Sequence, residues 1–391
     1  MLRVLKRHRV GAVVVAAALA VMAAACSTTG GSSTSDAGGA DCNGSAQAAT
    51  DAKAAADRVT TYMKPPATLA ALGLTQQVAG QPARGKSITY VGNEIPIVLE
   101  VFNGMKEAAA AVGWNASLLQ AGNTTAGAVD AMNKIVQSTP RPDGVVLVGI
   151  RLEQVQEQVA TLRAAGVPVI VWGGSVDQPS PTGYSANIVS PDFYSARVRA
   201  ETDWLIADSG GCAHIGFFLA RQFPVNLVML DAMKSALATN CHECTLDVKD
   251  VQVTDIGSRM PAITVGYLQS KPDIDYLYTS LGGAMWAGVP QAMDGAGLSS
   301  KVKLTTDGAD ATTFQDIVDG RQALAADQTP IQLGWHLVDS FIRAYAGEEV
   351  QERLPIVLID KSNVGDKPDP SSWGVVPGFR DQYRSLWNVT Q

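Results

Sequence analysis

Residues 144–172 read GVVLVGIRLEQVQEQVATLRAAGVPVIVW, and this stretch decides the fold. An apolar strand (144–148) passes into a helix (153–165), and a second apolar strand (167–172) follows. Strands that are apolar along their whole length and alternate with helices belong to a parallel sheet covered on both faces. The same alternation extends outward in both directions. Upstream, a strand (87–91) leads through Asn93-Glu94-Ile95-Pro96 into a helix with Val98, Phe102, Met105, Ala109 and Val112 on one face. A strand (116–120) and a helix (126–138) complete that side. Downstream of the strand 184–189 the pattern restarts, with helices over 196–208, 225–239, 259–269 and 284–296 and strands over 213–219, 245–253, 274–279 and 302–306. The expected fold class is α/β, with two Rossmann-like lobes built on parallel sheets. In such sheets ligands bind at the carboxyl ends of the strands, so the strand-end loops are where function is to be sought.

The chain has 391 residues, 46% hydrophobic and 17% charged, with 37 glycines and 19 prolines. That composition excludes bulk disorder and fibrous repeats and leaves room for two or three packed cores. The formal charge is -7. It becomes -11 without Arg3, Lys6, Arg7 and Arg9, and no basic cluster follows Arg9 that would suit a nucleic-acid partner. Four histidines, one of them His8, leave few general bases. No phosphate loop, nucleophile elbow, His-Glu-x-x-His or dinucleotide glycine pattern stands in a supporting context, so no enzyme activity and no cofactor are expected.

The amino terminus reads as an export signal. A basic segment precedes an unbroken apolar run (10–22), shorter than the roughly twenty residues of a spanning helix, and Ala23-Ala24-Ala25-Cys26 follows. Small residues before a cysteine resemble a bacterial lipobox, which would cleave a signal peptide (1–25) and acylate Cys26. A Ser, Thr, Gly and Ala tether (26–43) cannot bury a core. Residues 44–86 read as an Ala-rich helical arm and a linker. With Cys26 as the lipid site, Cys42, Cys212, Cys241 and Cys244 remain in an oxidising compartment, with three possible pairings. A local bond between Cys241 and Cys244 is expected, and pairings of Cys212 with Cys42 or with either of these two stay open. Cys241-His242-Glu243-Cys244 lacks the second ligand pair that zinc requires, so no metal is expected.

Several ordered strings resemble a type I periplasmic binding protein of the ribose and galactose kind, the solute-binding component of an ABC transporter. They are Asn93-Glu94-Ile95-Pro96 after the first strand, Ala165-Gly166-Val167-Pro168-Val169-Ile170, Ser190-Pro191-Asp192, Thr306-Asp307-Gly308 and Asp327-Gln328-Thr329-Pro330. The ending Phe379 to Trp387 resembles a tail of actinobacterial members. The resemblance implies three hinge crossings, near Ser190, Gln328 and Ile356. They join a first lobe (87–190 plus 329–356) to a second lobe and C-terminal tail (191–328 plus 357–391). It further implies a small solute held between the lobes, delivery to a membrane permease, a monomer, and lipid anchoring to the outer face of the cell membrane. A receptor lipoprotein that signals to a membrane sensor would share the fold, and an exported enzyme is the remaining alternative.

The departures from that family bear on the solute. Where sugar-binding members carry an Asp-Arg pair, a second Arg and an Asn-Asp, this chain has Gly173-Gly174, Leu227 or Met229, and Leu281-Gly282. The solute is therefore expected to be sugar-like or less polar. Asn93, Glu94, Trp172, Asp307 and Gln328 are the candidate ligand residues. Trp172 offers a stacking face, while Asp307 fits either a ligand group or the cap of the helix near Ala311. Asp192 and Asn226 are read as helix caps, Trp286 as core, and His336 as a satisfied polar side chain on the closing helix.

Overall fold

The structure is a computed structural model that describes residues 45–389 apart from Glu94 and Asn123. The expectations for the signal segment, the tether, Cys26, Cys42 and Glu94 lie outside the described residues.

After an arm helix α1 (Ala46–Val59), the first lobe runs β1 (Ser87–Gly92), α2 (Pro96–Ala111), β2 (Asn115–Gln120), α3 (Thr125–Gln137), β3 (Gly144–Val148), α4 (Leu152–Ala164), β4 (Val169–Trp172) and β5 (Ala186–Ile188). The strands are parallel in the order β2-β1-β3-β4-β5. Period-two alternation sends Tyr90, Val146, Ile170 and Trp172 into the core on one face. Val91, Val145, Leu147, Val169 and Val171 enter the core on the other, against α3 and α4. The alternation explains why β3 and β4 carry no polar side chain: both faces are covered.

The second lobe continues with α5 (Pro191–Asp208), β6 (His214–Leu219), α6 (Pro224–Asn240), β7 (Thr245–Asp250), α7 (Met260–Ser270), β8 (Tyr276–Thr279), α8 (Val289–Gly295), β9 (Lys303–Thr306), α9 (Ala311–Val318) and β10 (Leu324–Ala326). Then α10 (Pro330–Ala346) returns to the first lobe, β11 (Leu358–Asp360) closes the second sheet antiparallel to β10, and α11 (Phe379–Leu386) ends the chain. The second sheet has the order β11-β10-β9-β8-β6-β7. The helix expected over 284–296 is two pieces, a 3-10 turn (Gly283–Trp286) and α8. Gly288 turns left-handed between them (φ 75°), and Pro290 enters the next helix at its start. Among the described residues no helix is long and apolar enough to cross a membrane.

Helices α2 and α10 lie backbone against backbone. A Cβ on Gly104 would stand 2.3 Å from the Ile331 carbonyl oxygen, and one on Gly334 would stand 2.3 Å from the Met105 nitrogen. Two glycines thus let α10, whose residues lie after the second crossing, dock on the first lobe.

Beyond the three crossings, two further segments run between the lobes. Helix α1 packs on the second lobe, where Ala55 and Val59 enter the core and Arg58 forks onto Asp203 at 2.8 and 2.6 Å. The chain then passes to the first lobe, where Leu69 donates its N–H to Gln382 Oε1 at 2.8 Å and Val78 donates to the Leu386 carbonyl at 2.9 Å. The tail passes in the same direction, from β11 in the second sheet to the first lobe. Grouped with the second lobe in the sequence reading, it instead buries Val376, Phe379, Tyr383, Leu386 and Trp387 in the core of the first. The Trp335 and Trp387 rings stack at 5.4 Å, with 10° between their planes. The correction has a physical cause, since these large apolar side chains follow a short strand and are buried where α10 presents its own aromatic residues.

A disulfide of 2.01 Å joins Cys241 and Cys244 in the loop before β7. Cys212 is also disulfide-bonded, and the local bond excludes either of those two as its partner.

Candidate ligand-binding site

The carboxyl ends of β4 and β5 in the first lobe face those of β9 and β10 in the second. A cavity of about 20 Å³ lies between them, and its wall includes Trp172, Tyr194, Arg197, Asp327, Gln328 and Thr329. That is room for roughly one water. A sugar-sized molecule is several times larger than this space.

Trp172 and Gln328, 156 positions apart, are brought together here from opposite lobes. Trp172 is held in place from behind, because its indole N–H donates to the Tyr90 hydroxyl at 3.0 Å and that hydroxyl donates to the Val98 carbonyl at 3.0 Å. Gln328 follows β10 and packs against Gly308. A Cβ on Gly308 would stand 2.2 Å from its Nε2 and push that side-chain tip aside, and the left-handed backbone there (φ 90°) favours glycine.

Asp307 lies at the end of β9 but does not reach the cavity wall. It is 2% exposed and ion-paired with Arg197, whose Nη2 donates to Oδ2 at 2.8 Å while Nε stands 2.5 Å from Oδ1 outside hydrogen-bond geometry. The cap of α9 is Asp310, whose Oδ1 accepts the Thr313 N–H at 2.8 Å. Asn93 is not on the wall either, since its Oδ1 accepts the Ile95 N–H at 3.2 Å within its own loop. The other capping expectations also shift. Ser190 caps α5, with Asp192 in the first turn, and Asn226 donates to the Ala220 carbonyl at 3.0 Å, tying α6 to the end of β6. Trp286 is core, and His336 is buried between Tyr383 and the Arg353 N–H.

The residue that sequence reading missed is Arg197. In Arg197-Val198-Arg199 the two arginines lie on different faces of α5, and only Arg199 is exposed. Glu201, one turn beyond Arg197, is buried with it, and Tyr278 donates to its Oε2 at 2.7 Å. A basic and an acidic residue four apart on a helix otherwise flanked by apolar residues are a usable signal of a buried polar stripe. Only the fold says what the stripe faces.

The electrostatics follow from burial. Dehydration works against the Arg197 charge, yet the adjacent Asp307 carboxylate holds the guanidinium firmly charged. Burial, with the Asp307 charge added, pushes the Glu201 carboxyl well above its ordinary range. Burial likewise pushes Asp327 up to about 7, although the Thr329 and Gln328 amides pull the other way. Its Oδ1 accepts the Thr329 N–H at 3.2 Å, and its Oδ2 has no partner among the described residues. The inner site therefore holds one buried ion pair and two carboxyl groups that burial pushes toward the neutral form.

A raised acid stabilises the fold when it is protonated. The Asp327 contribution is fully present below its unfolded value near 3.8 and is lost as the pH rises through about 7. Asp327→Asn, neutral at every pH, should raise the midpoint of thermal unfolding at pH 8 and leave it nearly unchanged at pH 4. The wild-type slope it removes is at most about 1.4 kcal/mol per pH unit. A variant that runs parallel to wild type from pH 4 to 8 would show Asp327 to be ionised throughout.

Comparison with known proteins bears on this geometry. A family model described as a periplasmic binding protein domain matches residues 87–349. No curated protein matches the chain. Among solved structures, a sugar ABC transporter protein from Yersinia enterocolitica subsp. enterocolitica 8081 is similar at TM-score 0.62 and 17% identity, covering 80% of this chain and 98% of that one. An ABC sugar transporter subunit from Rhodobacter sphaeroides 2.4.1 is similar at TM-score 0.60 and 20% identity, over 72% and 99% of the two chains. An ABC transporter solute-binding protein from Agrobacterium vitis, with bound allitol, is similar at TM-score 0.61 and 17% identity, over 72% and 97%. At these identities the likeness speaks for the fold.

Proposed function

The chain belongs to the periplasmic binding protein family, and from that premise we propose that it captures a small neutral solute between its lobes for a membrane ABC importer. Members of this family bind solutes and are not enzymes, and their place is outside the cytoplasm. The observation that carries the reading is the cavity shared by both lobes, where Trp172 meets Arg197, Asp327 and Gln328. A solute touching both walls stabilises the arrangement in which the lobes are together. The lipobox-like Ala23-Ala24-Ala25-Cys26 and the tether after it support anchoring through Cys26 to the outer face of the cell membrane.

The charges favour a neutral solute. Arg197 is already balanced by Asp307, so its remaining N–H groups orient a hydroxyl or carbonyl without adding net positive charge. Around the cleft, Glu100 is pushed up by burial and by the charges of Asp310 and Asp369, a field that disfavours an anionic guest. The second arginine of sugar-binding members has no counterpart here. Of the two candidates for its place, Met229 is buried, and Leu227 is exposed and offers an apolar wall. Deoxy-sugars, cyclic polyols and aromatic metabolites with one polar edge fit this combination. A thermal-shift screen pairing neutral sugars and polyols with their carboxylate counterparts tests the reading. At a hundred times its Kd, the right neutral compound adds about 2.7 kcal/mol of stability. Stabilisation by the carboxylates alone would refute a neutral solute.

A further inference from the structure

Two of the three crossings carry a β-branched residue in a left-handed backbone conformation. Val189, between β5 and α5, has φ 59°, and Thr329, at the start of α10, has φ 42° and ψ 55°. Among the described residues the only other non-glycine with positive φ is Asn388, a residue type that tolerates it. For valine and threonine the conformation is strained, because the branched Cβ crowds the backbone. Such strain persists only where the surroundings over-determine it.

The surroundings do so here. Val189 and Thr329 are buried at 6% and 1% exposure, and both line the interlobe cavity. Thr329 is pinned by its N–H to Asp327 Oδ1, while its carbonyl accepts the Leu333 N–H at 2.9 Å. Val189 is pinned through its neighbour. The Ser190 N–H donates to Glu352 Oε1 at 2.8 Å and the Ser190 hydroxyl donates to Oε2 at 2.5 Å. Glu352 belongs to the third crossing, so one carboxylate clamps the first crossing to the third. It is largely buried, which pushes it up, and the Ser190 and Val189 amides offset part of that push.

We propose that Val189 and Thr329 form a loaded hinge, latched by Glu352, that drives the lobes apart when no solute bridges them. Hinge residues absorb the backbone changes of domain motion, and departure of either residue from the left-handed region releases its strain. The latch and a bound solute oppose that release. The solute enters this account only as a bridge between the lobes, so the test requires none.

The test reads the lobe separation of the unliganded full chain, by pulsed electron double resonance between spin labels at Asp130→Cys on α3 and Asp231→Cys on α6. Glycine removes the left-handed penalty. Val189→Gly and Thr329→Gly should each raise the ratio of short-distance to long-distance populations about fivefold, about 1 kcal/mol. Val189→Ala, which keeps the penalty, should move it less than about twofold. Glu352→Ala should lower the ratio at least about fivefold, and Glu352→Gln, which keeps an acceptor for the Ser190 N–H, should fall between. Glycine variants that leave the ratio unchanged or lower it would overturn the proposal, as would a single distance population that no variant moves. Should Glu352→Ala fail to fold, the glycine pair and Glu352→Gln still decide.

Discussion

Arg197→Met is expected to weaken solute binding at least about a hundredfold and to cost about 3 to 5 kcal/mol of folding stability. The variant keeps most of the apolar stem and deletes the guanidinium. Asp307 is then a buried carboxylate with no countercharge, and removing one partner of a buried pair costs more than the pair itself contributes. Binding falls for a separate reason, because the cavity loses the one charged donor on its wall. Urea unfolding and calorimetry with the best compound from the screen separate the two effects. The double variant Arg197→Met, Asp307→Asn should recover much of the stability, since no charge is left uncompensated, while binding stays weak. Wild-type affinity in a folded Arg197→Met protein would remove Arg197 from the site. An Asp307→Asn variant that binds normally would show that the guanidinium does not need that carboxylate to hold position.

Gly334→Ala is expected to destabilise the first lobe by roughly 3 kcal/mol or more. The new Cβ would meet three backbone atoms of α2: the Met105 nitrogen at 2.3 Å, the Val101 oxygen at 2.4 Å and the Gly104 carbon at 2.5 Å. Backbone cannot turn aside as a side-chain tip can, so the helices must part and the core between them loosens. Gly104→Ala should behave alike, its Cβ lying 2.3 Å from the Ile331 oxygen. Gly266→Ala is the control. That glycine lies within α7 with open space around its Cβ direction, so helix propensity alone predicts a gain of about 1 kcal/mol. Equal denaturation midpoints for Gly334→Ala and wild type would mean that the two helices are not in backbone contact.

Most of the fold was legible in the sequence because it rests on short-range regularities. The run 144–172 shows two buried strands flanking a helix, and the same signal recurs through both lobes. The break at Gly288 within the expected helix was less legible, since a glycine inside an apolar helical pattern is usually tolerated. The candidate ligand residues fall differently relative to the interlobe cavity. Both Trp172 and Gln328 line it, the first at the end of a strand read from its apolar run and the second placed by the resemblance of Asp327-Gln328-Thr329-Pro330 to a family crossing. Asn93 and Asp307 also stand at strand ends, but local bonding turns one into its loop and a distant arginine covers the other.

The sequence alone determined the two α/β halves and their strand-end loops, because these follow from residue type and local spacing, and the loss of the usual sugar-binding charges was legible against the family resemblance. Tertiary structure alone decided that Arg197 supplies a cation from α5, that Asp307 serves it, that the tail packs on the first lobe, and that Val189 and Thr329 are strained together beside one cavity. The physical reason is that these are interactions between groups far apart in the chain. Arg197 and Asp307 are 110 positions apart, and no periodicity in either segment carries the free energy of their meeting. That energy exists only once apolar burial has packed α5 against the second sheet and excluded the water that would otherwise screen the pair.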